Sequence, residues 1–347
     1  MHPISKQLIL WYEKNKRDLP WRDINDPYKI WLSEIILQQT QVIQGLNYYL
    51  KFIDAFPTVI DLANAPADKV MRLWQGLGYY SRARNLHTAA KMIQETYHGK
   101  FPNTYDSIKS LKGVGDYTAA AVSSFAFNLP YAVVDGNVYR VLSRLFNMNI
   151  AINSTQGKRD FQLLANELLN KKQPALHNSA MMEFGALWCR PQNPKCEECP
   201  LNNQCLAFQN NTVALLPIKE KKIAIKNRYL HYFIFNYKNY VYIQKRLAKD
   251  IWQNLYEFYL IEIKEKETEQ LVLENKLIKE LAPVFNIISI TTLKKHILSH
   301  QHLYATFYEL EIPSPLKSKA LVKVKRDELN AYGLPQLIIK YLIRSLS

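Results

Sequence analysis

The sequence predicts a largely helical region over residues 1–210 and a mixed α+β domain over residues 229–347, joined by a linker at residues 211–228. In the first region, amphipathic segments recur between proline and glycine residues. From Tyr229 onward, β-branched and aromatic residues alternate instead, which is typical of strands. The linker combines Pro217 with a charged run at residues 219–222. A chain of 347 residues is long enough for two or three domains.

Each predicted helix of the first region places apolar residues three and four positions apart, so that they share one face. These helices are expected at residues 4–16, 28–56, 59–65, 67–75, 81–97, 104–110, 116–127, 136–146, 155–169 and 178–189. In the second domain, strands at residues 229–235 and 240–245 flank residues 236–239, which is a hairpin pattern. Further helices are expected near residues 264–281 and 334–347.

The composition is that of an ordinary soluble globular protein, with 48% hydrophobic and 22% charged residues. No apolar run approaches the roughly 18 residues that span a bilayer, and the N-terminus lacks the pattern of a signal peptide. We therefore expect a cytoplasmic protein with no membrane association. The net charge of +15 favours a nucleic acid as the partner, because each neutralised phosphate releases counterions.

All four cysteines of the chain, Cys189, Cys196, Cys199 and Cys205, fall within one short segment. Soft thiolate ligands at this density suit one tetrahedral metal ion or an iron–sulfur centre. Structural zinc sites usually present two Cys-x2-Cys pairs, whereas this segment has one, which favours iron and sulfur. A disulfide framework is the alternative, and a reducing intracellular setting disfavours it.

Residues 111–119, LKGVGDYTA, have the pattern of two helices joined by a tight hairpin. Gly113 and Gly115 allow the tight turn and a close approach of the backbone to a ligand. The following helix, with Asp116 as its expected N-cap, would direct free N–H groups towards a phosphate. A single GxG between helices is more often only a turn, so this motif gains meaning from its position before the cysteine segment.

Two carboxylates are candidates for acid–base chemistry. Asp135 follows an apolar run at an expected helix N-terminus, where N–H groups and the helix dipole should keep it ionised. The alternative is a plain helix cap. Glu34 borders an apolar stripe of Trp31, Ile35 and Val42, so partial desolvation should raise its pKa and suit it to general acid catalysis. The alternative is an ordinary surface glutamate.

Residues 31–42, WLSEIILQQTQV, and residues 73–86, LWQGLGYYSRARNL, resemble the signatures of MutY-type adenine DNA glycosylases. The hairpin and the cysteine segment, with its 6-2-5 spacing, occur in the order found in the endonuclease III superfamily, and the resemblance extends over about residues 8–206. It implies an all-α helix-hairpin-helix glycosylase region that holds one [4Fe–4S] cluster on the four cysteines. It also implies an α+β, nudix-like C-terminal domain.

The resemblance implies hydrolysis of the N-glycosidic bond of an adenine mispaired with 8-oxoguanine or guanine in double-stranded DNA, by a monomer. Glu34 would protonate the flipped adenine and later activate water, and Asp135 would stabilise the sugar cation. Tyr117 and Asn137 would support the two carboxylates. Bifunctional relatives carry a lysine at the position of Tyr117, so this chain is expected to excise the base without efficient strand cleavage.

The resemblance also implies which residues contact the adenine and the DNA. Arg17, Trp21 and Arg22 would line the pocket for the extruded adenine; the alternative is a buried tryptophan beside two surface arginines. A wedge is needed because the adenine must leave the base stack before the reaction. Further DNA contacts are implied for the wedge residues Gln39, Thr40, Leu77 and Tyr79 and for the hairpin residues Lys112, Gly113, Val114 and Gly115. Arg190 and Lys195 beside the cluster would also contact DNA. The cluster itself would perform no redox step.

The C-terminal domain is expected to recognise the lesion and not to hydrolyse nucleotides. A nudix hydrolase needs a glycine-bounded, glutamate-rich metal motif, yet no glycine occurs between Gly185 and Gly333 and no R-E-x-x-E-E cluster is present. Leu298, Ser299 and His300 resemble the F-S-H loop that reads 8-oxoguanine, with Leu in place of Phe. The alternative for Ser299 and His300 is a structural pair.

Three other functions compete with this interpretation. A pyrimidine-lesion glycosylase with lyase activity is disfavoured by Tyr117 and by the additional domain. A non-catalytic iron–sulfur protein that binds DNA is disfavoured by the presence of both Glu34 and Asp135. An RNA-binding protein has no support from aromatic RNP-like motifs.

Overall fold

The computed structural model describes residues 1–220, 225–263 and 269–345. The chain divides into two compact units, Met1–Asn64 with Asn85–Lys221, and Ala65–Arg84 with Lys222–Ser347. The first unit is helical and the second contains a sheet, so the fold class of a helical region followed by an α+β domain is confirmed. No sequence pattern indicated that residues 65–84 pack with the second unit, and the domain boundaries at residues 210 and 229 stay a prediction.

The predicted helices before residue 220 are all present near their expected positions, with one exception. The helix predicted at residues 178–189 begins four residues earlier, and the short helix at Leu206–Gln209 was not predicted. The helix bounds are α1 Pro3–Asn15, α2 Pro27–Leu37, α3 Val42–Ala55, α4 Val59–Asn64, α5 Ala67–Leu73, α6 Ser81–Thr96, α7 Tyr105–Lys109, α8 Asp116–Phe127, α9 Gly136–Leu145, α10 Thr155–Leu168, α11 Pro174–Leu187 and α12 Leu206–Gln209. Helix α5 and the start of α6 belong to the second unit. Short 3-10 turns lie at Asn202–Gln204 and Val213–Leu215.

The exception is the single helix predicted over residues 28–56, which is wrong because the chain leaves the helix after Leu37 and re-enters at Val42. Gln39 adopts the left-handed backbone conformation, with φ of 55°, and this conformation ends α2. The hydrophobic pattern could not reveal the break, since α2 and α3 both continue to bury apolar side chains.

Helix α8 has the predicted bounds, but the predicted N-cap, Asp116, is wrong. Gly115 is its N-cap, and Asp116 is already the first helical residue. The Asp116 carboxylate accepts a hydrogen bond from the Tyr105 hydroxyl at 3.0 Å and forms an ion pair with Lys109. Because these two residues of α7 bind the Asp116 carboxylate, it does not cap helix α8.

The core of the first unit is formed by α1, α9, α10 and α11, with Leu8, Val141, Phe161 and Ala180 completely buried. Burial of each large aliphatic or aromatic side chain contributes about 1.5–3 kcal/mol. Helix α2 packs against α8, and α11 packs against both α8 and α9. Side chains on α2, α8, α9 and α11 are therefore held in fixed relative positions.

The second unit contains a mixed sheet. Its strands in the described residues are β1 Lys226–Tyr237, β2 Tyr240–Lys245, β3 Tyr256–Ile263, β4 Asn286–Thr292, β5 His296–Ile297, β6 Gln301–Glu311 and β7 Val322–Lys325. The strand order is β4-β6-β1-β3-β2-β7, with β5 also paired to β6. Strands β1 and β6 are parallel, and the other pairs are antiparallel. The predicted hairpin is confirmed, since Tyr237 pairs with Tyr240.

Strands β3 to β7 were not predicted. The central strands β1 and β6 are buried over much of their length. Helices of this unit lie at α13 Glu269–Leu273, α14 Lys276–Leu281 and α15 Gln336–Ser345, with a 3-10 turn at Arg326–Ala331. Parts of three predicted segments, residues 221–224, 264–268 and 346–347, lie outside the described residues.

The helix predicted at residues 264–281 is two short helices where it is described. Asn275 separates them, and its side chain accepts the backbone N–H of Leu277 to cap α14. The C-terminal helix is present as α15. In the described ranges, no helix is long and apolar enough to cross a membrane.

We predict that Gly113→Ala destabilises the first unit more than Gly115→Ala does. Gly113 has φ of 80°, and an added Cβ would lie 2.6 Å from the Cβ of Asn85. Strain and overlap together should lower the free energy of unfolding by about 2–4 kcal/mol. At Gly115 an added Cβ meets nothing within 4 Å, so the loss should stay below about 1 kcal/mol. Urea unfolding measures both, and equal losses would contradict this account of the hairpin.

Candidate functional site

A cleft of about 1810 Å³ in the first unit brings together the predicted catalytic and adenine-pocket residues with three of the predicted DNA contacts. Side chains from the loop after α1 and from α2, α8, α9 and α11 line it. Those singled out from the sequence are Arg17, Trp21, Arg22, Glu34, Gln39, Thr40, Gly115, Tyr117, Asp135 and Asn137.

Glu34 is the most deeply buried carboxyl group that the sequence selected, with 8% of its surface exposed. The Tyr117 hydroxyl donates a hydrogen bond to Glu34 Oε2 at 2.6 Å. Burial raises the pKa of Glu34 to about 7, and the nearby charge of Asp135 adds to the rise, while Tyr117 and Arg22 oppose it. Glu34 can therefore hold a proton near neutral pH, as expected from its place beside apolar residues. Of the predicted stripe, only Trp31 and Ile35 lie on α2, because Val42 begins α3.

Asp135 occupies the N-cap of α9, as predicted. Its Oδ1 accepts the backbone N–H groups of Asn137 and Val138 at 2.9 and 2.8 Å, and its Oδ2 accepts the Asn137 side-chain amide at 2.6 Å. Burial raises the pKa of Asp135, an effect that the sequence did not reveal, while these N–H donors and the charge of Arg140 oppose the rise. The three N–H donors stabilise the charged form of Asp135.

The sequence missed Glu183 on α11, which holds both predicted pocket arginines. Glu183 is 1% exposed. It accepts the Arg17 backbone N–H and a bidentate pair of hydrogen bonds from the Arg17 guanidinium, and Arg22 Nη2 lies 2.6 Å from its Oε2. Although burial acts to raise the pKa of Glu183, the bonds from Arg17 and Arg22 bring it below its usual value. Glu183 is the one Asp, Glu, Lys or Arg residue of α11, and this was the signal by which the sequence could have revealed it.

Trp21 lies in the same cleft wall as the two arginines. Its ring meets Tyr49 edge-to-face, with centroids 5.0 Å apart. The alternative for this trio, a buried tryptophan beside two surface arginines, does not describe it, because both guanidinium groups are tied to one buried carboxylate.

Two arginines on α9, which the sequence analysis did not select, connect the Asp135 cap to the cysteine segment. Arg140 donates to Asn137 Oδ1 at 2.8 Å and to the Cys189 carbonyl at 2.7 Å. Arg144 donates to the Arg190 carbonyl at 2.8 Å and lies 3.4 Å from Cys189 Sγ. The four-residue spacing puts both guanidinium groups on one face of α9.

The four cysteines surround an apolar pocket whose walls include Val141, Leu145, Phe184 and Trp188. Burial raises the pKa of the Cys199 thiol to about 12 and also raises the pKa values of Cys196 and Cys205. Ionisation of these thiols must therefore come from bound metal. The Leu201 N–H and Arg144 offer hydrogen bonds to Cys199 and Cys189 sulfur, as a negatively charged cluster requires.

The donor set and its surroundings fit a [4Fe–4S] cluster. Within residues 1–220, 225–263 and 269–345, no three His, Cys, Asp or Glu side chains converge closely enough to share a single metal ion. A cluster needs no such convergence, because each thiolate binds a separate iron. Arg190 and Lys195 are exposed beside the pocket, and the Lys195 ammonium lies 5.2 Å from the Trp188 ring centroid.

The hairpin residues have different surroundings. Lys112, Gly113 and Gly115 are exposed, whereas Val114 is buried and its N–H donates to the Leu111 carbonyl at 3.1 Å. Val114 therefore anchors the hairpin from inside, and the exposed neighbours present the surface that could meet a phosphate.

The predicted wedge residues are divided between the units. Gln39 and Thr40 are in the first unit, and Gln39 is exposed. In the second unit, Tyr79 is 45% exposed, and its hydroxyl lies 3.0 Å from Ser299 Oγ. Leu77 is only 6% exposed, and so it does not protrude as a wedge would. His300 is exposed next to Ser299, in the turn between β5 and β6.

Comparison with known families matches three parts of the chain. Residues 32–167 match the HhH-GPD superfamily base excision DNA repair protein, residues 189–205 match the iron-sulfur binding domain of endonuclease III, and residues 230–344 match the NUDIX domain. The predicted helix-hairpin-helix region, single [4Fe–4S] cluster and nudix-like domain are thereby confirmed.

Relatives and solved structures agree with these matches. An adenine DNA glycosylase of Mus musculus is 41% identical over 211 residues, covering 58% of this chain and 41% of the relative. The structure of a thermostable thymine-DNA glycosylase has a TM-score of 0.55 at 30% identity and covers 60% of this chain and 95% of that chain. A non-covalent endonuclease III–DNA complex, at 22% identity, has a TM-score of 0.52, covers 60% of this chain and 94% of that chain, and supports the fold alone.

The chain is thus a DNA glycosylase that acts on N-glycosyl bonds, as the family resemblance implied. An adenine DNA glycosylase of Buchnera aphidicola subsp. Baizongia pistaciae is 37% identical to it over 306 residues, which cover 86% of this chain and 83% of the relative. Similarity of this degree over most of both chains shows that the protein belongs to the adenine DNA glycosylase family.

Proposed function

We propose that the protein removes adenine mispaired with 8-oxoguanine or guanine in double-stranded DNA, by monofunctional hydrolysis and as a monomer. The observation that carries this proposal is the contrast between two carboxyl groups in one cleft. Glu34 has a pKa near 7 and one hydroxyl partner, whereas Asp135 is held by three N–H donors. Opposed environments of this kind separate an acid from a charged stabiliser.

In the proposed reaction, Glu34 transfers its proton to a ring nitrogen of the flipped adenine. The bond between that base and C1′ breaks, and its electron pair leaves with the adenine. The Asp135 carboxylate stabilises the positive charge that develops on the sugar. Water then adds to C1′ and returns a proton to Glu34, so that the products are adenine and an abasic site. The cluster, when bound, cross-links residues 189–205, and hydrolysis requires no redox step from it.

Tyr117 supports the monofunctional assignment. Its hydroxyl is engaged by Glu34, and burial raises the pKa of Tyr117 well above its usual value, so that it acts as a neutral donor and not as a nucleophile. Lys158 on α10 also lines the cleft and is exposed. If the protein were a lyase, Lys158 would be the candidate nucleophile that forms the Schiff base.

The adenine pocket is supported by the arginines that Glu183 fixes. A guanidinium that is already paired presents its remaining N–H groups in one orientation, which suits the acceptor nitrogens of a purine. Trp21 adds a flat apolar wall beside them. The names of the relatives are consistent with adenine as the base removed.

Recognition of the opposite base is assigned to the second unit. 8-Oxoguanine presents an N7–H donor where guanine presents an N7 acceptor, and a hydroxyl such as that of Ser299 can accept this hydrogen bond. Tyr79 and Ser299 lie within hydrogen-bonding distance of each other and are both exposed. The absence of the glutamate-rich motif from the sequence agrees with a recognition role for the nudix-like unit.

The decisive experiment is a single-turnover assay on a labelled duplex that contains one adenine opposite 8-oxoguanine, with and without alkali. We expect breaks mainly after alkali, and a loss of at least about 100-fold in Glu34→Gln, since the amide cannot deliver the proton. Breaks without alkali that disappear in Lys158→Ala would establish a lyase instead. Excision of thymine from a control duplex, with adenine left in place, would overturn the substrate assignment.

The pH dependence follows from the raised pKa of Glu34. The reactive form is protonated, and its fraction falls as pH rises through about 7. We expect the single-turnover rate to fall about tenfold between pH 6 and pH 8. Burial of the charge also destabilises the fold, progressively as pH rises from 4.5, the ordinary pKa of the group, and fully above about 7. Glu34→Gln should therefore raise the melting temperature at pH 8 and change it little at pH 5. A rate that rises with pH would contradict Glu34 as the acid.

The left-handed backbone of Gln39 yields a separate prediction. Gln39→Gly should stabilise the protein by about 0.5–1 kcal/mol, because glycine adopts this φ without strain, and should slow excision because the wedge side chain is lost. The matched control is Asn128→Gly, at the left-handed C-terminus of α8 and exposed. It should leave excision unchanged. Thermal melts and the single-turnover assay test both variants, and unchanged excision in Gln39→Gly would remove Gln39 from the wedge.

A further inference from the structure

The segment that carries Tyr79 is built into the second unit, although its sequence lies between helices of the first. Residues 65–84 comprise α5, the turn that follows it and the start of α6. The rest of the second unit begins well over a hundred residues later in the chain. The side-chain contacts between these two distant parts of the sequence show what holds Tyr79.

Asp68 on α5 makes the first attachment. Its Oδ1 lies 2.6 Å from the Lys245 ammonium at the end of β2, and its Oδ2 accepts the Tyr256 hydroxyl of β3 at 3.1 Å. The Lys245 ammonium also lies 5.4 Å from the Tyr256 ring centroid. The three side chains therefore form one cluster, which we call the Asp68 clamp.

Gln75 makes the second attachment, close to the turn. Its side-chain oxygen accepts the backbone N–H of Leu334 at 2.9 Å. The adjacent Gly333 lies against α5, since an added Cβ there would come within 3.5 Å of the Arg72 backbone nitrogen. Arg84 adds a third attachment by donating to the Gln253 carbonyl at 2.8 Å.

Between these attachments, the turn that presents Tyr79 has little freedom. Gly76, Gly78 and Tyr79 all have positive φ, and the Trp74 indole N–H donates to the Gly78 carbonyl at 2.9 Å. The Arg82 guanidinium lies 5.3 Å from the Tyr79 ring centroid and 5.2 Å from that of Trp74. A turn this constrained transmits any shift of its two ends to Tyr79.

We propose that Asp68 and Gln75 are positioning residues that place Tyr79 beside Ser299 and thereby determine discrimination of the base opposite adenine. The proposal rests on the proposed function. The half-exposed ion pair of Asp68 with Lys245 should contribute little to stability. Loss of this ion pair should therefore alter discrimination of the opposite base more than it alters stability. This difference distinguishes a positioning role from simple structural support.

The test measures the ratio of single-turnover excision rates for adenine opposite 8-oxoguanine and opposite guanine in the full-length, cluster-loaded protein. Asp68→Asn, Lys245→Gln and Gln75→Leu should each lower this ratio about threefold to tenfold, because small misplacements of contact groups weaken selective stabilisation. The charge swap Asp68→Lys with Lys245→Asp should restore the ratio, as should Gln75→Glu, which keeps the acceptor oxygen. Melting temperatures should change little in the Asp68 and Lys245 variants.

The control is an ion pair of the same unit on α14, Lys276 with Glu280. The swap Lys276→Glu with Glu280→Lys should leave the ratio unchanged. An unchanged ratio in Asp68→Asn, Lys245→Gln and Gln75→Leu, or an equal fall in the control swap, would overturn the proposal.

Hydrogen exchange of the amides at residues 74–84 gives a readout that does not depend on activity. Exchange should be faster in Asp68→Asn and Gln75→Leu and normal in the charge swap and the control. If the wild-type protein showed no preference for 8-oxoguanine, the proposed function would fail, and the exchange data would still decide whether the clamp positions the Tyr79 turn. Unchanged exchange in the clamp variants would refute the clamp itself.

Discussion

The hydrogen bonds that hold the Asp135 carboxylate at the N-terminus of α9 are the constraint around which the first unit is arranged. A buried charge is tolerated only when it is paired and hydrogen-bonded, and here the helix end supplies two backbone donors and Asn137 supplies a third. The same helix is anchored further along by Arg140 and Arg144, which bind carbonyls of the cysteine segment. Asp135 and the cysteine segment are thus attached to one rigid element.

That arrangement also determines the chemistry of Glu34. A buried carboxyl group such as Glu34 loses the hydration that would favour its charged form, and a neighbouring carboxylate disfavours that form further. Asp135 has donors that compensate its charge, while Glu34 has a single hydroxyl from Tyr117. The proton is therefore held at Glu34. The division of roles comes from the number and kind of donors around each group, since both are carboxylic acids with similar intrinsic acidity.

Much of the fold could be predicted from sequence, because helices with strong three- and four-residue periodicity dominate the first unit. Single residues such as Glu34 and Asp135 could be selected because local pattern placed them beside an apolar stripe or at a helix start. Glu183 could not be paired with Arg17, because the two are separated by 166 positions and only the folded chain brings them together. The membership of residues 65–84 in the second unit was hidden for the same reason. Among the strands that were not predicted, β5 has two residues and β7 has four, which is too short for a pattern to identify, and both are defined by their pairing with β6 and β2.

Two of the predicted wedge residues have strained backbones. Gln39 and Tyr79 both adopt positive φ, a conformation that costs a non-glycine residue about 1 kcal/mol or more. Glycine would release the strain at either position, and the turn around Tyr79 already uses Gly76 and Gly78 for this purpose. Each strained residue also extends an exposed side chain from a turn whose ends are fixed by helices or by the sheet. Glutamine and tyrosine at these two positions keep an outward side chain at the cost of backbone strain. An outward side chain agrees with the predicted role of both residues in extruding a base.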